Sequence, residues 1–245
     1  MKIMEKFARK AANNFEEPGV TIAFLGDSVT QGCFEIFRKD NGWETIYDKN
    51  NAYHAHLAKI FALTYPTVPV SIINAGISGD NAPHGLERLE RDVLSKNPDL
   101  VVVCFALNDS GQREEGLGKY ADALAGIFEK LQAAGKEIIF MTPNMMNPTI
   151  SIHVHDGDYV TLSENCMDIQ VNGILDRYVE KAKEICGKYH VPVCDCYAKW
   201  KQLYRYGADI TELLANKVNH PTREMNWLFA VSLFETMLAD EGEGK

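Results

Sequence analysis

The sequence predicts an α/β protein, a three-layer sandwich in which a five-stranded parallel sheet lies between helices. Three observations lead there. Five short runs rich in β-branched and apolar residues occur at 20–25, 70–74, 100–105, 137–141 and 191–194. They are mostly apolar on both faces, the pattern of strands buried in a parallel sheet. Helical segments separate them, at 52–63, 83–95, 120–134 and 167–189, and a last helix spans 223–238 with Pro221 near its start. In the third of these, Leu124, Ile127, Phe128 and Leu131 fall on one face of a 3.6-residue period. Finally, polar clusters follow the first three strands. Strand–helix alternation of this kind gives a layered α/β architecture. No repeat, low-complexity stretch or linker interrupts it, so residues 1–245 are expected to form a single domain.

With 46% hydrophobic and 24% charged residues, the chain has the composition of an ordinary globular protein. Its formal net charge is −9. That balance, with no run of five or more basic residues, argues against a nucleic-acid partner. The longest uncharged apolar run, 100–107, is too short to cross a bilayer, so no membrane partner is expected. The first residues carry interspersed charges and no apolar signal core. The six cysteines, at 33, 104, 166, 186, 194 and 196, form no CxxC pair. Reduced thiols and a cytoplasmic location are the expectation.

Two long connections, 31–51 and 142–165, follow the ends of the first and fourth strands. Open α/β sheets bind ligands at that edge, and loops of this length in a compact domain are commonly functional.

The clusters at the strand ends carry the chemistry. After the first strand comes Gly26-Asp27-Ser28-Val29-Thr30-Gln31-Gly32, after the second Asn74-Ala75-Gly76-Ile77-Ser78-Gly79-Asp80, and after the third Ala106-Leu107-Asn108-Asp109. All three should converge on one edge of the sheet. A serine hydroxyl becomes a useful nucleophile only when a base takes its proton. His220, in Asn219-His220-Pro221-Thr222 just ahead of the last helix, is the best candidate base.

These blocks resemble those of the SGNH hydrolase superfamily, also called the GDSL lipase/esterase family. Gly26-Asp27-Ser28 matches the first block, Ser78-Gly79-Asp80 the second, Ala106-Leu107-Asn108-Asp109 the third, and His220-Pro221 the last. They occur in the family's order and span almost the whole chain. The resemblance implies a flavodoxin-like sheet of strand order 2-1-3-4-5, with Ser28 and Asn108 facing each other at the switch point. It implies Ser28 as nucleophile and His220 as base. The oxyanion hole would be the backbone N–H groups of Ser28 and Gly79 with the Asn108 amide. No cofactor and no metal are expected.

Two positions depart from the family pattern. Ala106 stands where glycine is usual. Lys217 stands three residues before His220, where the family has the aspartate that orients the imidazole. The expectation is a Ser–His dyad whose ring is held by a backbone carbonyl of the 215–218 segment. The alternative is an acid from elsewhere, with Asp209 and Glu212 the nearest candidates.

Other residues invite functional readings. The run His153-Val154-His155-Asp156-Gly157-Asp158 suggests a metal but reads better as a polar surface loop. His54 and His56 are expected at the surface, Asp195 as a helix cap, and Asp27, Asp80 and Asp109 as braces of their loops. Trp43, Tyr47, Tyr53, Met145 and Met146 are either packing or lining for an acyl or sugar pocket. The Asn-His-Pro ending and the 191–195 segment look like bacterial relatives acting on acetylated carbohydrates. The expected substrate is therefore a small ester with a short acyl group, acetyl first, on a carbohydrate. A thioesterase or lysophospholipase with the same machinery stays open, as does a non-catalytic sugar- or nucleotide-binding module. A dinucleotide enzyme has no support, since no G-x-G-x-x-G follows the first strand. Oligomeric state is not legible.

Overall fold

The computed structural model describes residues 1–40 and 42–239. Residue 41, inside the expected connection 31–51, and residues 240–245, the end of the expected domain, lie outside them. The central sheet contains β1 (Val20–Gly26), β4 (Val70–Gly76), β5 (Leu100–Cys104), β6 (Glu137–Met141) and β7 (Val193–Cys194), all parallel, in the order β4-β1-β5-β6-β7. Counted along this sheet alone, that is the expected 2-1-3-4-5. Strand β5 is buried along its whole length, which is why its sequence shows no alternation.

Register explains the convergence of the motifs. Gly26 pairs with Gly76 on one side and with Cys104 on the other. The residues that follow these three strands therefore leave the sheet at one height and on one edge. Helices cover both faces. Helix α3 (Tyr53–Thr64) packs on α9 (Asn226–Leu238), and α4 (Ala82–Asp92) and α7 (Ile174–Tyr189) pack on α5 (Arg113–Ala133). Phe24 of β1 meets Tyr53 of α3 edge-on at 5.6 Å, and Phe128 of α5 meets Phe140 of β6 at 6.3 Å. These contacts join the sheet to its two covers.

Several expectations are corrected. The connection 31–51 is an ordered antiparallel hairpin, β2 (Cys33–Lys39) and β3 (Gly42–Tyr47). Its half-polar strands lack the continuous apolar character of the sheet strands. The segment 142–165 ends in a helix, α6 (Gly157–Val171), and the expected helix 167–189 breaks into α6 and α7. Gly173, at φ +69°, makes the break, and the Asn-Gly pair at 172–173 is its turn signal. Helix α1 (Lys2–Ala12) has no counterpart in the expected elements, and α8 (Cys196–Arg205) is anticipated only through its expected cap. Asp195 caps α8 as expected, accepting from the Ala198 N–H at 3.1 Å.

His54 and His56 are not surface residues; both are buried in α3. His54 Nε2 lies 3.2 Å from the Thr30 carbonyl, and burial pushes its pKa down to about 4. His56 stacks on Trp227 with ring centres 4.2 Å apart. Tyr53, Met145 and Met146 are core residues, whereas Trp43 and Tyr47 are exposed on the hairpin. All six cysteines are free and buried. Among the described residues, no helix is long and apolar enough to cross a membrane.

Candidate active site

Ser28 is the first residue of α2 (Ser28–Gln31), a single turn that leaves β1 without a loop. Asp27, not Ser28, caps this turn, accepting from the Val29 N–H at 3.0 Å. The seryl hydroxyl is therefore not spent on capping. The turn is wedged against the end of β4. A Cβ on Gly76 would lie 2.2 Å from the Gln31 nitrogen and 2.6 Å from the Thr30 carbonyl carbon, so only glycine allows this approach. A latch joins the first two motif blocks: Gln31 Oε1 accepts from the Ser78 N–H at 2.7 Å.

Buried polar groups brace the strand ends. Arg88 of α4 donates to Asp80 at 2.6 Å, to the Ala75 carbonyl at 2.6 Å and to the Gly26 carbonyl at 3.0 Å. One guanidinium thus ties the ends of β1 and β4 to the second block. Asp109 accepts from the Ala82 N–H at 2.9 Å. Asp27 and Asp109 do brace their loops, and burial pushes both carboxyls up to about 7. Arg88 escaped the sequence reading because an arginine inside an amphipathic helix looks like any solvated one.

His220 comes from the segment between α8 and α9. Its Nε2 lies 3.0 Å from Ser28 Oγ, and both residues are buried. Its Nδ1 lies 2.9 Å from the Phe34 carbonyl. A carbonyl only accepts, so Nδ1 carries the proton and Nε2 is left to accept from the serine hydroxyl. That tautomer suits a general base. The carbonyl comes from the root of the β2–β3 hairpin and not, as expected, from the 215–218 segment. The two candidate acids do not reach the ring. Glu212 is paired with Lys217 Nζ at 2.8 Å, and Asp209 Oδ1 accepts from the Glu212 N–H at 3.3 Å. Burial lowers the His220 pKa to about 4, although the Phe34 carbonyl opposes the shift.

The loop before His220 has its own internal support. Asn216 Oδ1 accepts from the N–H groups of Val218 (3.1 Å), Asn219 (2.9 Å) and His220 (2.9 Å). Asn144 Nδ2 donates to the Asn219 carbonyl at 2.8 Å. Lys217, at φ +58°, makes the bend that this wrapping needs. The position that usually supplies the acid is here a turn residue. Asn216 was missed, although an asparagine followed by a short polar loop is the signal for side-chain-to-backbone turns.

The three candidate oxyanion donors follow the ends of the neighbouring strands β1, β4 and β5. Among the described residues, the N–H groups of Ser28 and Gly79 have no protein acceptor. Gly79 is exposed at φ +79°, with open space where a Cβ would stand. Asn108 Nδ2 donates to the Asp80 carbonyl at 2.8 Å, which fixes the amide and leaves its second N–H for another partner. Ala106, where glycine is usual, is buried at φ +149°, a region that strains any residue with a Cβ. Among the described residues, no three His, Cys, Asp or Glu side chains converge as metal ligands; His153 and His155 are exposed.

Comparisons with known proteins place the chain in a family. An acetylxylan esterase from Geobacillus stearothermophilus is 26% identical over 134 residues, which cover 51% of this chain and 60% of that protein. The chain thus spans about 60% of the length of this curated relative. The crystal structure of an acetylxylan esterase from Geobacillus stearothermophilus superposes with a TM-score of 0.68 at 20% identity, covering 91% of this chain and 96% of that one. A two-domain esterase active on acetylated mannans, co-crystallised with mannopentaose, gives 0.66 at 20% identity over 96% of this chain and 52% of that one. At such identities these structures speak for the fold. The model of the GDSL-like lipase/acylhydrolase family matches residues 24–228, from the strand that delivers Ser28 to the helix that follows His220, and the chain belongs to that family.

Proposed function

We propose that the protein is a serine esterase that removes a short acyl group, acetyl first, from a carbohydrate, and that residues 1–245 form one hydrolase domain. The observation that carries this reading is the 3.0 Å contact between Ser28 Oγ and His220 Nε2. His220 takes the proton of Ser28 as the hydroxyl oxygen attacks the ester carbonyl. The tetrahedral oxyanion is received by the N–H groups of Ser28 and Gly79 and by the Asn108 amide. The imidazolium then gives its proton to the leaving alcohol, leaving an acyl-enzyme on Ser28. Water, deprotonated by the same ring, releases the acid and restores the serine.

Support for the acetylated-carbohydrate class comes from the relatives: an acetylxylan esterase and an esterase active on acetylated mannans. The six free thiols support a reducing, cytoplasmic location. A binding module without turnover gives no reason for a buried hydroxyl and a correctly protonated imidazole to meet.

The test has two arms. A fluorophosphonate probe should label the protein on Ser28, and Ser28→Ala should abolish labelling. A panel of acetyl, butyryl and octanoyl esters, with acetylated xylo- and manno-oligosaccharides, should show turnover falling as the acyl chain lengthens. Labelling that survives Ser28→Ala rejects the nucleophile. Preference for octanoyl esters rejects the acetyl assignment.

A further inference from the structure

Among the described residues no carboxylate reaches the His220 ring, and its Nδ1 meets one carbonyl, that of Phe34. This carbonyl sits at the root of a two-stranded hairpin outside the main sheet. Isolated two-stranded hairpins are marginally stable at best. Something must hold the Phe34 carbonyl still to within a few tenths of an ångström.

Arg223, three residues beyond His220, reaches across to the hairpin. Its Nη1 and Nη2 fork onto the Glu35 carboxylate at 2.5 and 3.0 Å, and its Nε donates to Asp48 Oδ2 at 2.9 Å. Its guanidinium carbon lies 4.4 Å from the centre of the Phe34 ring. Glu35 adjoins Phe34 at the start of β2, and Asp48 follows the end of β3. The Asp48 N–H also donates to the Gly32 carbonyl at 2.8 Å, which closes the hairpin base. Arg223 is itself tethered, because its own carbonyl lies 3.3 Å from His56 Nε2 in α3.

We propose that Arg223 is a positioning residue that, with Glu35 and Asp48, clamps the hairpin to the His220 segment and so keeps the Phe34 carbonyl on Nδ1. The clamp does for this enzyme what an aspartate at position 217 would do by direct contact. It requires arginine, because the planar fork fixes two partners at once, whereas an ammonium is a point charge. This inference rests on the proposed role of His220 as base.

The test uses Arg223→Met, Arg223→Lys and Glu35→Gln in the full chain. Arg223→Met keeps apolar contact with Phe34 and removes the clamp. It should lower kcat on an acetyl ester by about 10²-fold, the cost of an ångström-scale misplacement, with KM nearly unchanged. Arg223→Lys and Glu35→Gln should fall between it and wild type. A readout independent of turnover is the His220 Nδ1 proton, followed by NMR with ¹⁵N-labelled histidine. It should be protected and downfield in wild type and exchange-broadened in Arg223→Met, whose thermal transition should stay cooperative. Should Arg223→Met fail to fold, Glu35→Gln alone carries the comparison. An unchanged Nδ1 signal in the folded variants, or a loss confined to KM, overturns the clamp. The NMR signal separates the two ideas. If Ser28→Ala retains full activity while the Nδ1 proton still depends on Arg223, the catalytic reading fails and the clamp stands.

Discussion

Ser28 leaves the end of a buried strand in a single turn, whereas His220 sits in a loop without regular structure. On the nucleophile side, position follows from the sheet: Gly26, Gly76 and Cys104 are in register, and the motif blocks follow them at once. On the base side, backbone pairing is limited to a single bridge between Leu214 and Pro221, with the Ala215 N–H donating to the His220 carbonyl at 2.7 Å, and side chains bonded to backbone add to it: Asn216 to three N–H groups, Asn144 to the Asn219 carbonyl, His220 to the Phe34 carbonyl. Geometry set by a sheet is stiff and distributed over many bonds. Geometry set by a few side chains is vulnerable to single substitutions far from the reacting atoms.

The comparison breaks most sharply at the two reacting groups. Ser28→Ala and His220→Ala should each cost at least ~10³ in kcat, and the double variant should be no worse than either single one, because the pair acts as a unit. Additive losses in single-turnover kinetics would mean that the two residues serve separate steps. Next in size, Asn108→Ala should cost ~10²–10³ in turnover, as for other side-chain oxyanion donors. An unchanged rate on an acetyl ester would make the third block a purely structural one.

Asn216→Ala sharpens the contrast between the two sides. It strips three backbone N–H groups of their shared acceptor, at ~1 kcal/mol for each hydrogen bond. Thermal unfolding should show that loss, and kcat should fall with it because His220 is released. Gly76→Ala tests the other side: it should destabilise the fold by forcing α2 off β4. By contrast, Asp209→Ala and Glu212→Ala should keep wild-type turnover, since Glu212 is paired with Lys217, Asp209 accepts from the Glu212 N–H, and neither bonds the His220 ring. A loss of ~10³ in either would restore a carboxylate to the mechanism. The smallest expected effect is at Ala106. Relief of backbone strain by Ala106→Gly should raise stability by about 1 kcal/mol or less once the lost methyl contact is counted, measured by urea unfolding.

What the sequence revealed follows the same division. The sheet was legible because its strands, β5 above all, are mostly apolar on both faces, and the nucleophile block was legible because it abuts such a strand. The hairpin 33–47 was not, since half-exposed strands of mixed polarity read as a connection. His220 was found from its local block, but its orienting partner was not. A backbone carbonyl has no residue type, so nothing in a sequence marks Phe34 for that task. Lys217 gave the one clue: an acid was missing and something else had to take its place. The buried histidines of α3 misled for the opposite reason, because imidazoles packed against aromatic rings look like polar surface residues until their neighbours are known.

The central claim, an imidazole oriented by a backbone carbonyl in place of an acid among the described residues, has a direct kinetic signature. Only the neutral ring accepts the Ser28 proton, so activity falls as pH drops through the pKa of His220. Burial holds that pKa at about 4. The rate of fluorophosphonate labelling at Ser28, followed from pH 3 to 8, is predicted to reach half its plateau near pH 4 and to stay flat through neutrality. A half-point near the ordinary imidazole value of about 6.5 or above it would contradict the account, because burial unopposed by a charge partner should keep the ring neutral well below that pH.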